Sequence, residues 1–155
     1  MKFSIISDAF QKMEATSKRL EKTDILVKLI QEIPDDVISK AIYLIQGKLR
    51  PNFEGVELGI AEKLVMRAMS KSSGIPLKKI EEDYNKGGDL GRTAENILHQ
   101  KIQTTFASET ITLEKVYETL FKISNLEGKG SQEMKMKYVS SMLNDATPQE
   151  SKFIL

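Results

Sequence analysis

Apolar residues recur at three- and four-residue steps along almost the whole chain, the period of a helix buried on one side. Phe3, Ile6, Phe10 and Met13 predict a first amphipathic helix. Leu20, Ile25, Leu26, Val27, Leu29, Ile30 and Ile33 mark a second, ended by Pro34. Pro34-Asp35-Asp36 opens a third through Val37, Ile38, Ala41, Ile42, Leu44 and Ile45, with Gly47 as its stop. A fourth carries Ile60, Leu64, Val65, Ala68 and Met69 and ends at Gly74. Pro76 is placed as the first residue of the next, which runs toward Tyr84. Gly87-Gly-Asp-Leu-Gly91 is a break, 93–102 is helical, and the polar stretch 103–110 lacks a period and reads as a loop. Leu113, Val116, Tyr117, Leu120, Phe121 and Ile123 predict a helix ending near Gly128, and Ser131 is placed as the cap of one carrying Met134, Tyr138, Val139, Met142 and Leu143. Thr147-Pro-Gln-Glu150 combines a capping threonine, a proline at the first helical position and a glutamate at the third, a strong helix start.

No strand pattern reaches useful length, so the predicted fold is all-α, a compact bundle of about eight or nine helices. A weak internal repeat divides it into two pseudo-symmetric halves: Ser17 pairs with Ser131, Ile25 with Val139, Leu29 with Leu143 and Pro34 with Pro148. A chance match of two amphipathic helix pairs is the competing explanation. The final capped helix stops on Phe153-Ile154-Leu155 one turn after it begins, so the chain is expected to be a domain, 1–155, incomplete at its C-terminal end.

Composition narrows the function. The 155 residues carry a formal net charge of +1 and no cysteine, which excludes disulfides and thiolate metal sites and fits a reducing cytoplasm. Nucleic-acid contact, if any, must be local rather than driven by bulk charge. The N-terminal apolar run is too short for a signal peptide or a membrane span.

Enzyme chemistry is hard to find. His99 is the single histidine and reads as a surface or capping residue. No serine sits in a nucleophile elbow and no Walker lysine follows a glycine loop. Lys86 is followed by Gly-Gly-Asp rather than the Lys-x-Asp-Gly of a covalent nucleotidyl transferase, and Glu81-Glu-Asp83 reads as a solvated charge run.

Helix starts are the remaining candidates, because their free N–H groups and positive dipole end hold anions without a basic patch. The first is Leu58-Gly59-Ile60-Ala-Glu-Lys63, a glycine loop running straight into a helix, with Lys63 and Arg67 on one face. Glu62 is discordant there. The second is Gly128-Lys-Gly130-Ser131-Gln132, opening a helix that carries Lys135. The third is its repeat partner, Thr16-Ser17. Plain helix capping is the competing explanation for all three.

Short motifs occur in a recognisable order: Pro34-Asp-Asp36 with Tyr43-Leu-Ile45, Glu57-Leu-Gly-Ile-Ala-Glu-Lys-Leu-Val65, Gly74-Ile75, Gly88-Asp-Leu-Gly91 with Ala94-Glu95, Val116-Tyr117, Gly130-Ser-Gln132 with Lys137-Tyr138, and Ala146-x-Pro148 with Glu150-x-Lys152-Phe153. The series resembles the N-terminal DNA-binding domain of ATP-dependent DNA ligases of the archaeal and eukaryotic replicative type. That resemblance implies an all-helical, pseudo-symmetric domain that grips nicked duplex DNA across the minor groove without reading sequence. Its parent would seal nicks in replication, repair and recombination, forming phosphodiester bonds with ATP and Mg2+. Neither cofactor is expected in this chain, which carries no catalytic residues. The implied partners are the remaining ligase domains and the nicked duplex, with a sliding clamp as a further candidate. Carried onto matching positions, the DNA-binding candidates are Leu58, Gly59, Ile60, Lys63, Gly130, Ser131 and Gln132. Lys135, Thr16 and Ser17 join them as residues at helix starts.

The alternative is an all-helical protein-interaction module with no nucleic-acid role. A helix-turn-helix factor would need a more polar recognition helix than the one carrying Lys63, Arg67 and Lys71.

Overall fold

The computed structural model describes residues 1–50, 60–101 and 108–155. Among them are nine helices: α1 (Ser4–Glu14), α2 (Arg19–Glu32), α3 (Ile38–Ile45), α4 (Glu62–Ser73), α5 (Leu77–Gly87), α6 (Leu90–His99), α7 (Leu113–Ser124), α8 (Ser131–Asp145) and α9 (Pro148–Ile154). The all-α expectation holds. No described helix is long and apolar enough to cross a membrane.

Most of the predicted apolar positions form one core, but Leu20, Val27, Ile30 and Met134 are exposed, because α2 and α8 carry apolar residues outside their packed faces. Ala68, Met69, Ile80, Ile111, Leu113 and Leu143 are fully buried within it. The chain start is pinned to the start of α7. Phe3 N–H donates to the Ile111 carbonyl at 3.0 Å, Leu113 N–H donates to the Met1 carbonyl at 2.9 Å, and the Met1 ammonium reaches the Glu114 carboxylate at 2.9 and 3.0 Å.

From this junction the packing repeats. α1 packs on α2 as α7 packs on α8, and α1 touches α9 as α7 touches α3. α4, α5 and α6 pack on one another, and the group docks through α4 on α8 and through α6 on α9. The α6–α9 approach is close enough to require glycine: a Cβ on Gly91 would stand 2.3 Å from the Lys152 carbonyl oxygen.

Several boundaries differ from the sequence reading, each for a local reason. The break at Gly87–Gly91 shrinks to Gly88 and Asp89, because the Asp89 carboxylate accepts from Arg92 N–H at 2.9 Å and starts α6 at Leu90. Pro76 is the N-cap of α5 rather than its first residue. Ser131 is the first residue of α8 rather than its cap; Gly130 takes that position. The start of α9 is as expected, with the Thr147 hydroxyl accepting from Glu150 N–H at 3.1 Å and the Glu150 carboxylate accepting from Thr147 N–H at 2.8 Å.

Candidate nucleic-acid interface

α4 and α8 form one of the two most extensive helix–helix contacts among the described residues. The Ser72 hydroxyl, near the end of α4, donates to the Asn144 side-chain oxygen, near the end of α8, at 2.8 Å. This bond brings the C-terminal turns of the two helices together. Measured back along each helix axis from this bond, α4 begins about 15 Å and α8 about 20 Å away.

Neither start is closed by a capping side chain. Ala61, the N-cap of α4, is extended and offers no side-chain acceptor. Ile60 is half-buried against the core and anchors the entry to the helix. Lys63, Arg67 and Lys71 are exposed, one per turn along the outer face. Glu62 is exposed in the first turn, and hydrogen bonding and charge from its carboxylate push the pKa of the Tyr84 phenol up. Leu58 and Gly59, the two remaining candidates of this loop, lie outside the described residues.

At α8, Gly128 and Gly130 hold φ values of 84° and 82°, the left-handed region that favours glycine. Nothing stands within 4 Å of where a Gly130 Cβ would be, so the turn is open as well as left-handed. Ser131 N–H is used within the turn, donating to the Gly128 carbonyl at 3.2 Å. Ser131 is half-exposed and Gln132 exposed. Glu133, exposed in the same turn, sets a local negative charge beside them.

Two expectations change. Lys135 does not join this outer surface; it is buried, at 7% exposure, on the packed side of α8. Thr16 and Ser17 precede α2, which packs on α1 rather than on α4 or α8. The Thr16 hydroxyl donates to Glu21 at 2.5 Å and accepts from Lys18 N–H at 3.2 Å. Thr16 first, then Lys18, hold the Glu21 carboxyl below its ordinary pKa, so a carboxylate already occupies that turn. Asp89, whose capping role the spacing to Arg92 signalled, is the residue that sequence reasoning missed.

His99 is exposed in the last turn of α6, as a surface residue should be. Among the described residues no group of three or more histidines or acids is placed to hold a metal ion.

Residues 2–155 match the family described as DNA ligase N terminus. The chain belongs to that family. Within it, a DNA ligase of Nitrosopumilus maritimus is 68% identical over 155 residues, covering 100% of this chain and 26% of the relative. A DNA ligase of Cenarchaeum symbiosum is 57% identical over 155 residues, with 100% and 26% covered. A DNA ligase 2 of Thermofilum pendens is 42% identical over 160 residues, with 99% and 27% covered. This DNA ligase N-terminus chain thus spans about a quarter of the length of the curated relatives it matches.

Proposed function

We propose that this chain is the DNA-gripping part of an ATP-dependent DNA ligase. It binds nicked duplex DNA without regard to sequence, through the phosphate backbone and the minor groove. The remaining domains seal the nick in replication, repair and recombination. In this reading ATP and Mg2+ belong to those domains, and a sliding clamp is a further partner of the parent. The supporting observation is the pair of helix starts without a capping side chain on α4 and α8, two helices packed on each other, in a family of ligase N-termini.

Each start carries roughly half a positive charge, and an anion there is worth about 0.3–1 kcal/mol, rising to ~2 where water is partly excluded. Lys63, Arg67 and Lys71 add charge along the outer face of α4. Contacts of this kind fix a duplex in place and carry no sequence information, which suits an enzyme that must act at any nick.

Fluorescence anisotropy with nicked duplexes of unrelated sequence, using the polypeptide extended to its relatives' length, tests the reading. Equal affinities and a shallow dependence on salt are expected. Absence of binding at low salt favours the protein-interaction module instead.

A further inference from the structure

The chain leaves α3 through a turn that fixes its direction. Gly47 has a φ of 67°, its N–H donates to the Leu44 carbonyl at 2.9 Å, and Lys48 N–H donates to the Tyr43 carbonyl at 2.8 Å. This pair of bonds around a left-handed glycine is a Schellman stop, and it sets the course on which the next residues depart.

α7, packed on α3, receives them. The Tyr117 hydroxyl donates to the Leu49 carbonyl at 2.5 Å, across 68 positions, and Leu49 itself is buried. The Arg50 guanidinium lies 4.8 Å from the centre of the Phe121 ring. Phe121 stands one turn beyond Tyr117 on α7, and the two rings are nearly parallel, 4° apart in plane and 6.3 Å between centres. The Lys40 ammonium of α3 sits 5.7 Å from the centre of the Tyr117 ring and 3.2 Å from the Glu118 carboxylate. Packing at this place asks only for a ring. A bond to a main-chain carbonyl on another element is what tyrosine supplies and phenylalanine does not.

The clamp stands between the two candidate helix starts. Ten positions after Arg50 comes Ile60, half-buried against the core, and α4 follows at Glu62. α7 itself ends at Ser124, and Gly130, the N-cap of α8, is six positions on. One helix therefore holds the approach to the first start through its side chains and leads to the second through its own backbone.

We infer that Tyr117 is a positioning residue for DNA binding: it touches no phosphate, and by holding the Leu49 carbonyl it sets where the chain begins its path to the start of α4. The inference rests on the DNA-gripping role of the chain.

Anisotropy titrations of the polypeptide at its relatives' length with nicked duplex test it. Tyr117→Phe keeps the ring and removes only the hydroxyl. It is expected to weaken binding about three- to tenfold, as loss of one hydrogen bond does, with the salt slope unchanged because no cationic contact is lost. In nick sealing the same variant is expected to raise KM for the nicked duplex and leave kcat unchanged. Gly91→Ala strains the α6–α9 contact instead and serves as the stability control; its affinity is expected to match wild type at a temperature where both variants are folded. Wild-type affinity in Tyr117→Phe overturns the proposal, while binding by the unaltered polypeptide keeps the DNA reading standing. An equal loss in Gly91→Ala also overturns it, because the effect is then one of general stability. Failure of the unaltered polypeptide to bind nicked duplex at low salt removes the DNA reading itself and this inference with it.

Discussion

The Ser72 hydroxyl of α4 lies 2.8 Å from the Asn144 side-chain oxygen of α8, and this bond ties together the ends of two helices whose beginnings form the candidate interface. Ser72 is buried, at 2% exposure, and Asn144 is half-buried, so the bond is partly shielded from water. Ser72→Ala is expected to cost about 1–2 kcal/mol, a fall in melting temperature of roughly 2–8 °C for a domain of this size. Circular dichroism on heating measures it, and an unchanged melting temperature would remove this bond from the account.

Gly91 and Gly87 make an internal control. Gly91→Ala drives a Cβ against the Lys152 backbone oxygen, and overpacking of this kind costs about 1–3 kcal/mol. Gly87 lies in α5 with nothing within 4 Å of the same added atom, so Gly87→Ala is expected to be neutral or stabilising by up to ~1 kcal/mol. Thermal unfolding of the two variants should therefore move in opposite directions or leave only Gly91→Ala displaced.

Acid sensitivity has a named source at Glu114. Burial opposes its ionisation, but the hydrogen bonds from the Met1 ammonium, with the charges of Met1 and Lys40, outweigh burial and hold the carboxyl below its ordinary value of 4.5. A folded-state pKa below the unfolded one contributes stability that is complete above the ordinary value and is lost as pH falls through the folded one. Stability should accordingly decline on the acid side of about pH 4.5, and Glu114→Gln should flatten that decline while lowering stability at neutral pH. Denaturant unfolding as a function of pH reads both effects.

Ser131→Asp separates stability from binding. An acid in the first turn of α8 complements the helix dipole and should stabilise the fold slightly, by about 0.3–1 kcal/mol. The same charge repels a phosphate and should weaken DNA binding by the extended polypeptide roughly tenfold, equivalent to ~1.4 kcal/mol. Lys63→Gln should instead lower affinity modestly and reduce the salt slope by about one. Anisotropy titrations at several salt concentrations distinguish the two patterns.

The parts of the fold legible in the sequence are those set by local signals. Thr147, Pro148 and Glu150 specify a helix start through bonds that span only three residues, and the start of α9 is where they place it. The apolar spacing of Val65, Ala68 and Met69 likewise fixes which side of α4 is buried. The burial of Lys135 was not legible, because its own helix gives it a polar neighbourhood and only packing within the fold draws it inward. The hydroxyls of the Thr16 turn alone suggest an anion site; Glu21, in the first turn of α2, reaches back and accepts from the Thr16 hydroxyl. Nor could spacing show that α4 packs on α8, a relation between segments separated by 72 positions at their shared bond.

The central claim is that backbone amides at the starts of α4 and α8, more than cationic side chains, hold the phosphates of the duplex. An amide-resolved NMR titration of the chain with nicked duplex DNA tests it most directly, because it detects even weak binding residue by residue. The account predicts that the amides of Glu62 and Lys63 in α4, and of Gln132 and Glu133 in α8, move progressively downfield with added DNA. Shifts confined to other surfaces, with these amides unmoved at saturating DNA, would contradict it.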